Sequence, residues 1–146
     1  MAPPRDVVPD ACALAAAYFR EPWSAHAEPL LARVRMRKVN TLMPMVGLTE
    51  ILNICRRKMT DVSAGDVDAI VADFISLPVA WFERSGALVQ RAWDLFRRHQ
   101  IGTNDAFYCI LAGDWGAEIW SQDGNFIDQA LKSGINMHDL RAKAFS

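Results

Sequence analysis

Short apolar runs of strand length alternate along this chain with longer stretches whose apolar residues recur at helical spacing. Residues 6–10 (DVVPD) predict a first strand ending on a carboxylate, and ACALAAAYF then favours a helix that Pro22 stops. A second helix is predicted from Ser24 to about Arg37, with Leu30, Leu31 and Val34 on one stripe. VNTLMP reads as a brief strand closed by Pro44. Residues 47–58 (GLTEILNICRRK) repeat apolar groups at 48, 51, 52 and 55, which is helical period. A further helix, capped near Ser63 or Asp66, carries apolar positions 67, 70, 71 and 74. PVAWF is a strand, and SGALVQRAWDLFRRHQ a helix whose basic residues gather at its C-terminal end, matching the dipole. NDAFYCILAGDW predicts another helix with Thr103 as its N-cap; EIWSQD is a strand ending on a carboxylate. FIDQALKSG is a short helix stopped by Gly134, and INMHDL a last strand.

Strands alternating with helices predict a three-layer α/β/α sandwich around a mostly parallel sheet of about five strands. In such sheets ligands lie beyond the carboxyl ends of the strands, where Asp10 and Asp123 both fall. Pro9 is a discordant residue, because a proline inside a central strand loses a ladder hydrogen bond; the ladder is expected to end beside it.

The chain has 146 residues, of ordinary length for one domain, and residues 1–146 are read as such. Half its residues are apolar (51%), and with 16 basic against 17 acidic residues the net charge is −1. No overall positive field therefore draws the protein to a polyanion, so nucleic-acid binding requires local patches or a metal. Cys12, Cys55 and Cys109 are odd in number and far apart, which offers neither a zinc site nor a disulfide framework and suits a reducing cytoplasm. No apolar run is long enough to span a membrane.

The chemistry-bearing pattern is a set of acids placed at element boundaries among apolar residues: Asp10, Glu50, Asp105 and Asp123. Such carboxylates are costly to desolvate unless a hard divalent cation neutralises them. Taken singly, each has a plainer reading: Asp105 as a helix-start charge, Asp123 as a turn residue before Gly124. Jointly they predict one Mg²⁺ or Mn²⁺ site, and phosphodiester hydrolysis is the reaction such a site most often serves.

VVPDACALAAAYFREP, LTEILNI, NDAFYCILA and EIWSQDGNF, in this order, resemble the PIN domain family, and within it the VapC-like toxin ribonucleases of bacterial toxin–antitoxin pairs. The resemblance runs from about residue 6 to residue 140. It implies a PIN-like sandwich, an acidic pocket binding Mg²⁺ or Mn²⁺, and cleavage of RNA. It assigns Asp10, Asp105 and Asp123 to the metal and Glu50 to the attacking water. It also implies a small antitoxin protein that inserts a segment across the pocket. Two positions depart from the family pattern: Cys12 stands where many relatives carry Ser, Thr or Asn, and Asn125 where some carry a further acid.

Arg56, Arg57 and Lys58, about two turns past Glu50, are the basic residues best placed to contact RNA phosphates. Tyr18, Phe19 and Trp23 offer apolar surface for an antitoxin or a homodimer, and Trp23, Trp115 and Trp120 are candidates for base stacking, with core packing the plainer role. The competing function is a PIN-like module that binds RNA or protein without cutting. A phosphatase with an aspartyl nucleophile is disfavoured, because Cys12 stands where that chemistry wants a second aspartate.

Overall fold

The computed structural model describes residues 2–146. The chain runs β1 (Asp6–Pro9), α1 (Ala11–Tyr18), α2 (Ser24–Arg35), β2 (Asn40–Pro44), α3 (Val46–Lys58), α4 (Ala64–Ile75) and β3 (Val79–Phe82). It continues with α5 (Gly86–His99), α6 (Thr103–Trp115), β4 (Glu118–Ser121), α7 (Gly124–Lys132) and β5 (Met137–Asp139). Every strand pairing is parallel, and the sheet order is β3-β2-β1-β4-β5. This is the α/β/α sandwich with a five-stranded parallel sheet that the alternating pattern predicts.

The topology decides where a ligand can sit. From β1 the chain moves outward to β2 and β3; from β4 it moves the other way, to β5. Right-handed crossovers then place α1 to α4 on one face and α5 to α7 on the other. Connections leaving adjacent strands in opposite directions open a crevice between β1 and β4 at their carboxyl ends. β1 is buried at Val7, Val8 and Pro9, as a central strand covered on both faces should be. Pro9 is its last residue, opposite Trp120, and the ladder passes on through Asp10 N–H to the Trp120 carbonyl at 3.1 Å.

Several boundaries differ from expectation for local reasons. The second helix ends at Arg35, because Arg37 takes a left-handed conformation with φ of 53°. The N-cap of α6 is Gly102, which makes no side-chain capping bond, and Thr103 is already inside the helix. Strand β4 stops at Ser121, two residues before Asp123, because Asp123 caps α7 instead of continuing the strand. Ser63 caps α4 by accepting from Asp66 N–H.

The core includes Val7, Val8, Leu14, Met43, Ile51, Tyr108, Ile119 and Trp120. Trp120 is 1% exposed, stacked on His138 at 4.5 Å and edge-on to Phe145 at 4.8 Å, so it is a packing residue with no face for a base. Phe19 is likewise buried and offers no partner surface, whereas Tyr18 and Trp23 are half-buried. All three cysteines are free thiols. No helix among the described residues is long and apolar enough to cross a membrane.

Candidate active site at the β1–β4 crevice

Asp10 follows β1 immediately and is the N-cap of α1. Its Oδ1 accepts from Ala13 N–H at 2.8 Å, and its Oδ2 accepts a short hydrogen bond from the Ser121 hydroxyl. Asp10 is only 4% exposed, and burial pushes its carboxyl up from 3.8 to about 8; the charges of Asp105 and Glu50 add to the rise against those two hydrogen bonds.

Asp123 is the N-cap of α7, accepting from Asn125 N–H at 3.1 Å and Phe126 N–H at 3.3 Å. Its own N–H donates to Ser121 Oγ at 3.0 Å. One buried hydroxyl at the end of β4 thus gives its hydrogen to Asp10 and receives one from the backbone of Asp123. That tie fixes the two strand-end acids against each other across the crevice.

Glu50, in the second turn of α3, is held by Tyr108 of α6, whose hydroxyl donates to Oε1 at 2.6 Å. The Tyr108 oxygen in turn accepts from Ala11 N–H at 3.3 Å, the residue after Asp10. Tyr108 is fully buried, and Gly47 makes room for it: a Cβ there would lie 3.0 Å from the Tyr108 oxygen and 3.0 Å from Met43 Cε. Burial raises the Glu50 carboxyl, Tyr108 pulls it back, and Asp123 raises it again. Asp105, in the first turn of α6, accepts no side-chain hydrogen bond among the described residues. Burial lifts its carboxyl to about 7, with Asp123 and Glu50 adding to the rise.

The four acids predicted from sequence therefore act on one another's charge around the crevice. Ser121, which braces Asp10 and Asp123, and Tyr108, which braces Glu50, escaped the sequence reading. The local signal was Gly47, a glycine in the first turn of α3, three residues before Glu50, a position that needs a reason. Cys12 lies within the same field: burial, then Asp10, Asp123, Glu50 and Asp105, push its thiol far above its ordinary range. The basic residues divide. Arg56 and Arg57 are exposed, but Lys58 is paired with Glu21 at 3.1 Å, and Glu21 also accepts from Gln122 at 2.6 Å.

The acids fit a hard divalent cation by donor chemistry, being carboxylate oxygens whose burial and mutual repulsion a cation reverses. They are not a finished cage: among the described residues no three His, Cys, Asp or Glu side chains stand grouped for a metal ion.

No protein-family model matches this chain, and no curated protein sequence matches it significantly. Solved structures do. VapC20 of Mycobacterium tuberculosis, described as a toxin that cleaves the sarcin–ricin loop, superposes with a TM-score of 0.68 at 19% identity over 88% of this chain and 95% of that one. PAE2754 of Pyrobaculum aerophilum gives 0.66 at 16% identity over 86% and 79%. VapBC2 of Rickettsia felis, solved with a DNA fragment from its promoter, gives 0.64 at 12% over 92% and 98%. At such identities the likeness speaks for the fold. The chain shares the fold of these structures, VapC20 among them.

Proposed function

We propose that this protein is a metal-dependent endoribonuclease that hydrolyses RNA phosphodiester bonds as the toxin of a toxin–antitoxin pair. The observation that carries the proposal is the bracing of Asp10 and Asp123 by Ser121, and of Glu50 by Tyr108, at the β1–β4 switch point. It gains support from the fold shared with a toxin described as cleaving the sarcin–ricin loop.

Asp10, Asp105 and Asp123 are the residues that would hold Mg²⁺ or Mn²⁺. Such an ion supplies stabilisation of charge on the phosphoryl oxygens and acidifies a water. Ser121 keeps Asp10 and Asp123 in register, so that neither needs reordering when substrate arrives. Glu50, oriented by Tyr108, takes the proton of the attacking water as its oxygen adds to phosphorus. The phosphorus–oxygen bond to the leaving nucleotide breaks, and that oxygen is protonated from solvent.

The remaining parts of the proposal are a small antitoxin as partner, which follows the family resemblance, a cytoplasmic location, which follows the unpaired cysteines, and a homodimer, for which half-buried Tyr18 and Trp23 offer apolar surface. A second reading, an RNA- or protein-binding module that does not cut, is favoured by the absence of a ready-grouped metal cage among the described residues. Incubating total RNA with the protein and Mg²⁺, with and without EDTA, decides between them. Cleavage that EDTA and Asp105→Asn both abolish supports the enzyme. Intact RNA under every condition, or EDTA-resistant cleavage, rules it out.

A further inference from the structure

Arg141 lies two residues past β5, and it reaches the rim that carries Asp10 and Asp123 because β4 and β5 end together, with Ser121 opposite Asp139. Asp139 locks its guanidinium: Nε donates to Oδ1 at 3.0 Å and to Oδ2 at 3.3 Å, and Nη2 donates to Oδ2 at 2.9 Å. The Arg141 backbone N–H adds a bond to the same Oδ1 at 2.8 Å. Nη1 donates to nothing among the described residues. The head group rests on Gly124, where an added Cβ would lie 2.5 Å from Nη1. Gly124 directly follows Asp123, and the carboxylates of Asp123 and Asp128 both act on the guanidinium charge.

A partly exposed pair such as Arg141–Asp139 contributes little to stability on its own. Its geometry has a different value. A locked guanidinium loses little rotamer freedom on binding, and it presents the unspent hydrogens of Nη1 at the edge of a cluster that repels phosphate. A fixed cation on that edge offsets the repulsion for one approaching anion. Lys58 is likewise paired, with Glu21, but its ammonium is a point charge on a flexible stem and has no fixed planar fork to present.

We propose that Arg141 is a substrate-binding residue that holds a non-bridging phosphate oxygen of the RNA backbone on the Asp123 side of the acidic crevice. The proposal rests on the ribonuclease reading for its substrate, and its test separates the two. Binding of a fluorescein-labelled single-stranded RNA is measured by anisotropy in an Asp105→Asn background across a range of salt concentrations. Adding Arg141→Ala is expected to weaken binding roughly tenfold and to reduce the salt slope by about 0.7, the share of one phosphate on a single strand. Gly124→Ala keeps every charge and suits the first turn of a helix, but it displaces the guanidinium, so it should weaken binding by a smaller factor. Wild-type affinity and slope in Arg141→Ala overturn the proposal, as does failure of the parent to bind RNA. Cleavage by the Asp105 protein, followed in parallel, reads the enzyme proposal alone. RNA that is bound but never cut sinks the enzyme and leaves the contact standing. Cutting with wild-type KM in Arg141→Ala sinks the contact and leaves the enzyme.

Discussion

The Tyr108 hydroxyl reaches Glu50 Oε1 at 2.6 Å from the opposite helix layer, across a gap that Gly47 keeps open. Without that donor, Glu50 is a partly buried carboxylate beside another negative charge. Tyr108→Phe should therefore raise the Glu50 carboxyl further and move the acid limb of the pH–rate profile upward, while KM changes little. Loss of the bond and of the acceptor for Ala11 N–H should lower Tm by about 2–4 °C, as ~1 kcal/mol would. A pH profile superposing on the wild type would show that Tyr108 fills space and does nothing more.

Ser121→Ala removes the donor to Asp10 and the acceptor for Asp123 N–H together. A buried carboxylate that loses a donor is driven further toward its protonated form. The expected result is a Mg²⁺ midpoint, read from thermal shift at pH 7, displaced about tenfold or more to higher concentration. Ser121→Thr, which keeps the hydroxyl, should restore most of it. An unchanged midpoint in the alanine variant would remove Ser121 from the site.

Stability should depend on pH in a definite direction when divalent ions are absent. Asp10 and Asp105 rise from 3.8 to about 8 and about 7, so between those limits the folded protein holds protons that the unfolded chain has released. Their contribution is therefore fully present below about pH 4 and is lost as pH rises through 7 and 8. In EDTA at pH 8, Asp105→Asn should raise Tm by about 3–6 °C and reduce the stabilisation that Mg²⁺ confers on the wild type. A variant no more stable than wild type in EDTA at pH 8 would contradict this account of the buried charge.

Cys12 should be a poor nucleophile despite its position, since burial and the surrounding acids hold it as the thiol. Iodoacetamide at pH 8 is expected to leave Cys12 unmodified in native protein and to label it after denaturation, as read by peptide mass spectrometry. Rapid labelling of the native protein would show that the negative field around it is weaker than the geometry implies.

Much of the fold was legible because its signals are local. Ser63 announced the start of α4 and Pro44 the end of β2, and the apolar period over 48–55 the existence of α3, although its buried face is Val46, Gly47, Ile51, Ile54 and Cys55 while Leu52 of the predicted stripe is exposed. The acids Asp10, Asp105 and Asp123 were legible because each sits where an element begins or ends, and Glu50 because it interrupts an apolar stretch of α3. Their supports were not. Ser121 meets Asp10 across 111 positions of sequence and Tyr108 meets Glu50 across 58, and nothing near Ser121 or Tyr108 in the sequence marks that approach. Arg141 was missed for the same reason: its locking partner is two residues away, but the surface it lies on belongs to Gly124. Thr103 was misread as a cap because its hydroxyl suits that role, whereas the chain turns one residue earlier, at Gly102.

Asp10 and Asp123 do two jobs at once, because the oxygens offered to the crevice also close the first turns of α1 and α7. Asparagine performs the second job as well as aspartate does. The charge of this rim can thus be erased one residue at a time while the first turns beneath stay capped, so electrostatics and scaffold are separable by substitution at two positions.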